Sequence, residues 1–167
     1  MTLFKAGLCA LALLWGLPLR AEEPLPAPAG PVILTVSGAI GRTNAAGEAR
    51  FDKEMLEALG LTTVRTSTNW TDGVKVFEGV LLETVLRRVG ASGSKVHAFA
   101  LDDFQNTIPV SDLEYGVLLA MRMDGQPLTL RTKGPLWIVY PRDTYAALND
   151  VRYDSRWVWQ LKSLRVE

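Results

Sequence analysis

The chain has 167 residues, about half of them apolar, with 18 basic against 18 acidic side chains and one histidine. That length and balance predict one globular domain able to bury a core without staples. The absence of a basic excess excludes nucleic acid as the expected partner.

The first 21 residues read as an export signal rather than as fold. Lys5 supplies a positive start, and Ala6 to Leu17 is an apolar run broken by Pro18. The run has the length of a signal h-region and falls short of the ~20 residues that cross a bilayer. Ala21 is the expected cleavage edge, with an uncleaved anchor as the alternative, and the periplasm is the expected location. Cys9, the only cysteine, lies inside this run. A processed chain is then expected to lack a thiolate nucleophile, a thiolate metal ligand and a disulfide.

Residues 22–31, Glu-Glu-Pro-Leu-Pro-Ala-Pro-Ala-Gly-Pro, read as an extended, mobile tether. The domain is expected over residues 32–167. Val32 to Val36 is β-branched and predicts a strand, and Ser37 to Glu48 reads as a Gly- and Asn-rich loop. Asp52 is placed to cap a short helix over 53–59, which Gly60 stops. Leu61 to Thr68 predicts a strand, Val74 to Gly79 a short extended piece, and Leu81 to Val89 a helix with apolar residues at 3–4 spacing. Lys95 to Ala100 alternates as a strand does. Pro109 to Glu114 reads as a turn or short helix. Tyr115 to Met123 reads as a buried strand ending in the hairpin turn Asp124-Gly125. Leu136 to Tyr140, a short helix over 144–148, and a last strand from Trp157 to Val166 complete the chain. Short helices scattered among short strands predict a mixed α+β domain rather than a doubly wound one.

Chemistry was sought by residue type. One histidine, His97 on a strand, and no Gly-x-Ser-x-Gly argue against a hydrolytic triad. One histidine cannot build the usual zinc site, and Asp102, Asp103 and Asp112 lack calcium-loop spacing. What stands out is a set of polar and aromatic strand ends: Thr66 to Trp70, Asp102 to Phe104, Gly134 to Pro141 and Asp154 to Trp159. An aromatic among polar neighbours, as at Trp70, suits stacking on a flat heteroaromatic ligand. A lid closing the core is the alternative use for Trp70 and the more ordinary one for Trp137 and Trp159.

The order of these motifs resembles the molybdopterin-binding domain of the sulfite oxidase family. Thr66 and Trp70 stand where that family has a strand Cys-x-x-x-Trp. Phe77-Glu78-Gly79-Val80-Leu81-Leu82 runs into a helix as its Gly-x-x-Leu stretch does. Ala100 to Phe104, Gly134 to Pro141, and Asp154-Ser155-Arg156-Trp157 follow in order. The resemblance spans about residues 32–166 and implies that family's α+β fold.

It also exposes departures. The family's metal-binding cysteine matches Thr66, and a hydroxyl is not a soft metal ligand. A cofactor-holding arginine matches Trp137, and a family lysine matches Arg156. The resemblance therefore implies a cysteine-lacking, exported branch that binds a metal-free pterin. Such proteins act as sensors beside the periplasmic domains of membrane signalling enzymes. On that reading Thr66, Ser67, Asn69, Asp102, Asp103 and Ser155 supply polar groups for the pterin edge. Trp70, Phe104 and Trp137 stack on the ring, and Arg156 reaches a side-chain oxygen, with no metal ligand and no catalytic residue. The alternatives are an oxidoreductase using the molybdenum cofactor with altered ligation, and an interaction module without a ligand.

Overall fold

The computed structural model describes residues 24–167; the expected signal segment 1–21 lies outside them. In chain order the elements are β1 (Leu34–Gly38), β2 (Glu48–Phe51), α1 (Lys53–Glu57), β3 (Thr62–Thr68), β4 (Thr71–Leu81) and α2 (Leu82–Arg88). They continue with β5 (Lys95–Ala100), β6 (Gln105–Pro109), β7 (Leu118–Met123), β8 (Gln126–Pro127), β9 (Trp137–Val139), α3 (Val151–Asp154) and β10 (Leu161–Val166). Three short 3-10 turns lie at Val110–Tyr115, Leu130–Thr132 and Ala146–Leu148.

The strands form two five-stranded sheets. One has the order β2-β1-β10-β5-β6, with β1 and β10 parallel and the other neighbours antiparallel. The other runs β3-β4-β7-β8, and β9 pairs with the first half of β7 on the edge that β8 uses in its second half. Alternation decides which face is inside. Along β5, Val96, Ala98 and Ala100 are buried while Lys95 is exposed, the period-2 pattern of a sheet with one wet face. Strands β7 and β9 are instead buried nearly throughout, so the second sheet passes through the core. Gly79 allows β4 to close on β7 at a register shift. A Cβ there would lie 2.0 Å from the Leu119 carbonyl oxygen.

Several local expectations changed on folding. Glu48–Phe51 pairs with β1 as an edge strand, because Ala49 and Phe51 alternate inward from a stretch whose composition reads as loop. Gln105–Pro109, too polar to announce itself, is the opposite edge strand. The last strand begins at Leu161, not Trp157. Gln160 has φ +49° and breaks the extension, so Trp157 and Trp159 sit in a loop rather than on a strand face. A short helix, α3, precedes that loop.

The Pro-rich stretch is docked from residue 24 onward, which corrects the expectation of a mobile tether. Leu25 is buried. The Ala29 and Gly30 amides each donate to Asp52 Oδ2 at 2.8 Å, and Asp52 Oδ1 accepts from Met55 N at 2.8 Å as the N-cap of α1. Asn44 Nδ2 and Arg88 Nη2 donate to the Pro26 and Pro24 carbonyls at 2.6 and 3.1 Å.

One carboxylate thus joins strap and helix. Its bonds to Gly30 and Met55 hold the Asp52 pKa below the ordinary carboxylate value. A lowered folded pKa gives stability that is complete above the unfolded value and lost as pH falls through the folded one. The strap should therefore become protease-sensitive in acid before the domain unfolds. Asp52→Ala should show the same cleavage within residues 24–31 at neutral pH, with the rest of the chain protected.

Candidate functional site

The candidate site lies where the loop after α3, the turn after β5 and the turn between β3 and β4 meet. Trp70, Asp102, Phe104, Asp154, Ser155, Trp157 and Trp159 line a hollow of about 130 Å³ there. Each is placed by a local device. The Thr68 hydroxyl accepts from Trp70 N at 3.0 Å and lies 2.8 Å from the Thr71 hydroxyl, fixing the turn that carries Trp70. Asp102 accepts from Phe104 N at 3.2 Å, and Asp103 sits at φ +64°, so the chain reverses and leaves Phe104 48% exposed at the rim. The Ser155 carbonyl accepts from Asn106 Nδ2 at 2.7 Å, tying the α3 end to β6.

The aromatic wall is a packed cluster. Trp70 lies 5.5 Å from Trp159 and 5.6 Å from Trp157, centroid to centroid and steeply inclined, the geometry that ring quadrupoles favour. Lys133 Nζ lies 4.2 Å from the Trp159 ring centre. Two carboxylates, Asp102 and Asp154, and one hydroxyl supply the polar edge. Asp154 is drawn toward Arg142, 3.7 Å away. A flat, hydrogen-rich heterocycle suits this combination of stacking surface and acceptors.

Of the ten residues singled out from sequence, Trp70, Asp102, Phe104 and Ser155 come together at this hollow. Asp103 is next to it but points to solvent and to Lys162, 3.3 Å away. Trp137 is fully buried behind Trp70 and Trp157, at 6.5 and 6.2 Å, and so backs the wall instead of stacking on a ligand. Its indole nitrogen is buried without a hydrogen-bond partner. Arg156 faces away, donating to Asp112 Oδ2 at 2.6 Å and covering the Tyr153 ring.

Thr66, Ser67 and Asn69 are also not part of the lining. A second loop, Pro141-Arg142-Asp143, is hydrogen-bonded to all three, of which Thr66 is buried, Ser67 half-buried and Asn69 exposed. Asp143 N donates to Thr66 Oγ1 at 3.2 Å, and Thr66 is 0% exposed. Ser67 donates from its amide and its hydroxyl to the Asp143 carboxylate at 2.7 and 2.6 Å. Arg142 donates to Asn69 Oδ1 and Asn149 Oδ1, both at 2.6 Å. Sequence reasoning missed this latch, and it undervalued Trp157 and Trp159. The one available signal was a charged pair immediately after a strand-ending proline.

The comparisons with known proteins agree with this architecture. Residues 43–158, well over half of the chain, match the family described as oxidoreductase molybdopterin binding domain. The chain belongs to that family. Among solved structures it is similar to the sulfane dehydrogenase SoxCD from Paracoccus pantotrophus, with a TM-score of 0.59 and 18% identity. That match covers 80% of this chain and 37% of the other, so the chain spans little more than a third of that protein's length. At that identity the likeness shows the fold, which is the sulfite oxidase-like one. No curated protein matches the chain.

A molybdenum held as in the family would need a soft donor, yet the position that the resemblance matches to the family's cysteine carries Thr66, a hard hydroxyl that is buried and bonded to Asp143 N. A phosphate-bearing cofactor needs cations and room. The hollow's own lining presents Asp102 and Asp154, with Arg142 paired to Asp154 and Lys133 stacked on Trp159, and its 130 Å³ is well below the ~300–1,000 Å³ of pockets for drug-sized ligands. The lining of this hollow does not fit the intact cofactor.

Proposed function

We infer that this member of the molybdopterin-binding domain family is an exported pterin-binding regulator that performs no oxidation itself. The observation that supports the reading is that Thr66, which the resemblance matches to the family's metal-binding cysteine, is buried and bonded to Asp143 N, while an aromatic hollow beside it stays open. A pterin without metal or phosphate stacks on Trp70 or Trp159 with its amino edge toward Asp102 or Asp154. The apolar run at residues 6–17 supports export. The partner that fits such a role is the periplasmic domain of a membrane signalling protein.

The test is mass spectrometry of small molecules released from protein purified out of the exported fraction, with metal analysis of the same sample. A bound pterin without molybdenum is expected. Trp70→Ala should weaken pterin binding about tenfold, since losing a ring stack costs ~1–3 kcal/mol by analogy with base stacking. The family match favours a second reading, a molybdopterin oxidoreductase with altered ligation. Stoichiometric molybdenum in the purified protein would establish it and end the first.

A further inference from the structure

The four tyrosines of the chain and the four tryptophans among the described residues belong to one connected array of ring contacts. From the hollow, Trp159 meets Trp70 at 5.5 Å and Trp70 meets Trp157 at 5.6 Å. Trp157 then meets Tyr140 at 6.2 Å, and Tyr140 meets Tyr153 at 5.9 Å. Tyr153 meets Tyr115 at 6.1 Å, and Tyr115 meets Tyr145 at 5.2 Å. Tyr145 is 39% exposed. Each separation is within the ordinary range for packed rings, so distance alone says only that the rings touch.

Three further facts separate this array from ordinary packing. It contains only the two readily oxidised ring types, whereas phenylalanine, just as good a filler, joins only as Phe77 against Trp137 on a side branch. It has two ends, one at the 130 Å³ hollow and one at the surface residue Tyr145. Its middle member also has a proton acceptor built in. The Tyr140 hydroxyl donates to Asp112 Oδ2 at 2.8 Å, and Arg156 holds that carboxylate from the other side at 2.6 Å. Burial first, and then the Asp112 charge, keeps the Tyr140 phenol protonated far above its ordinary range. Its proton therefore stays in place until the ring loses an electron.

We propose that this array conducts an electron vacancy from the aromatic hollow to Tyr145, making the protein a conduit that quenches an organic radical seated in the hollow. The radical takes one electron from Trp70 or Trp159 and one proton from water, and becomes the closed-shell molecule. Trp157 refills that indole, and Tyr140 refills Trp157. As Tyr140 loses its electron it passes its proton to Asp112, and it regains both when Tyr153 supplies the next electron. Tyr153 and Tyr115 are half-buried and Tyr145 is exposed, and on this path each sheds its proton toward solvent and recovers it. A thiol at the surface finally gives Tyr145 a hydrogen atom and leaves as a thiyl radical. The net change is one radical reduced and one thiol oxidised. Nothing in this path requires the hollow to prefer a pterin.

The test places an oxidant at one end and a trap at the other. With Cys9→Ser, Phe104→Cys becomes the single thiol of the full chain and carries a ruthenium photosensitiser at the rim of the hollow. Flash oxidation in the presence of a nitroso spin trap is expected to give an adduct on Tyr145, located by peptide mass spectrometry. Tyr140→Phe and Tyr153→Phe each keep the ring but remove the phenol, and each should abolish the adduct. An adduct on Tyr145 that survives either substitution, or that never forms in the parent, overturns the proposal. Should Tyr140→Phe fail to fold, the partly exposed Tyr153→Phe decides alone. Pterin titration of the same samples fails or succeeds independently of the radical readout.

Discussion

Asp112→Ala should strongly destabilise this domain. Asp112 is 4% exposed, on the turn between β6 and β7. Its Oδ2 accepts from the Tyr140 hydroxyl and from Arg156 Nη1. Truncation leaves a fully buried phenol without an acceptor and a guanidinium without its carboxylate. The phenol orphan costs about 1–3 kcal/mol, and the guanidinium adds less than a fully buried pair would because the Arg156 side chain is 21% exposed. The phenol can be removed separately. Tyr140→Phe alone should cost about 1–2 kcal/mol, and the double variant should be more stable than the sum of the single changes predicts. Urea unfolding of the four proteins gives the cycle. Additivity would mean that Tyr140 and Asp112 are not coupled, contrary to their 2.8 Å contact.

The same contact shows where the sequence stops being informative. Periodic strands such as Lys95–Ala100 and the capped helix after Asp52 are local events, and residue pattern is enough to place them. Edge strands β2 and β6 are short and polar on their wet face. Their pairing with β1 and β5 decides them, and pairing is not visible in a single segment. Trp157 and Trp159 alternate as strand residues do, but a left-handed Gln160 breaks the backbone just after them. Period-2 spacing could not reveal that break.

The site divides in the same way. Trp70, Asp102, Phe104 and Ser155 were legible as polar-aromatic strand ends, and they do meet at the hollow. That Thr66 stands where the family has its metal-binding cysteine is implied by the resemblance alone. That it is also closed off was not legible at all. Its cover, Asp143, is 77 residues away in sequence, and the latch is a tertiary hydrogen bond. Arg156, named from its position in the motif, was claimed by Asp112, 44 residues upstream. A charged side chain with a buried counter-ion available does not stay at a ligand pocket.

The other large effect expected is at Trp157. Its ring is 3% exposed and meets Trp70, Trp137 and Tyr140 at 5.6, 6.2 and 6.2 Å. It is both core filler and floor of the hollow. Trp157→Ala should therefore cost about 3–5 kcal/mol in stability, the range for deleting a large buried ring. At ~2–4 °C per kcal/mol for a chain of this size, the melting temperature should fall by roughly 10 °C. Ligand binding should fail with it, since Trp70 loses the ring that holds it in position. Trp159→Ala separates the two roles. That side chain is partly exposed, and its ring contact with Lys133 Nζ at 4.2 Å is worth only about 0.5–1 kcal/mol. It should lower stability little while still weakening the binding of a planar ligand. Thermal melts and ligand titration on both variants give four numbers, and stability should fall far more for Trp157→Ala while binding falls for both. If Trp157→Ala melts as high as Trp159→Ala, the cluster is a surface ornament rather than a supported wall, and the hollow is not a preorganised site.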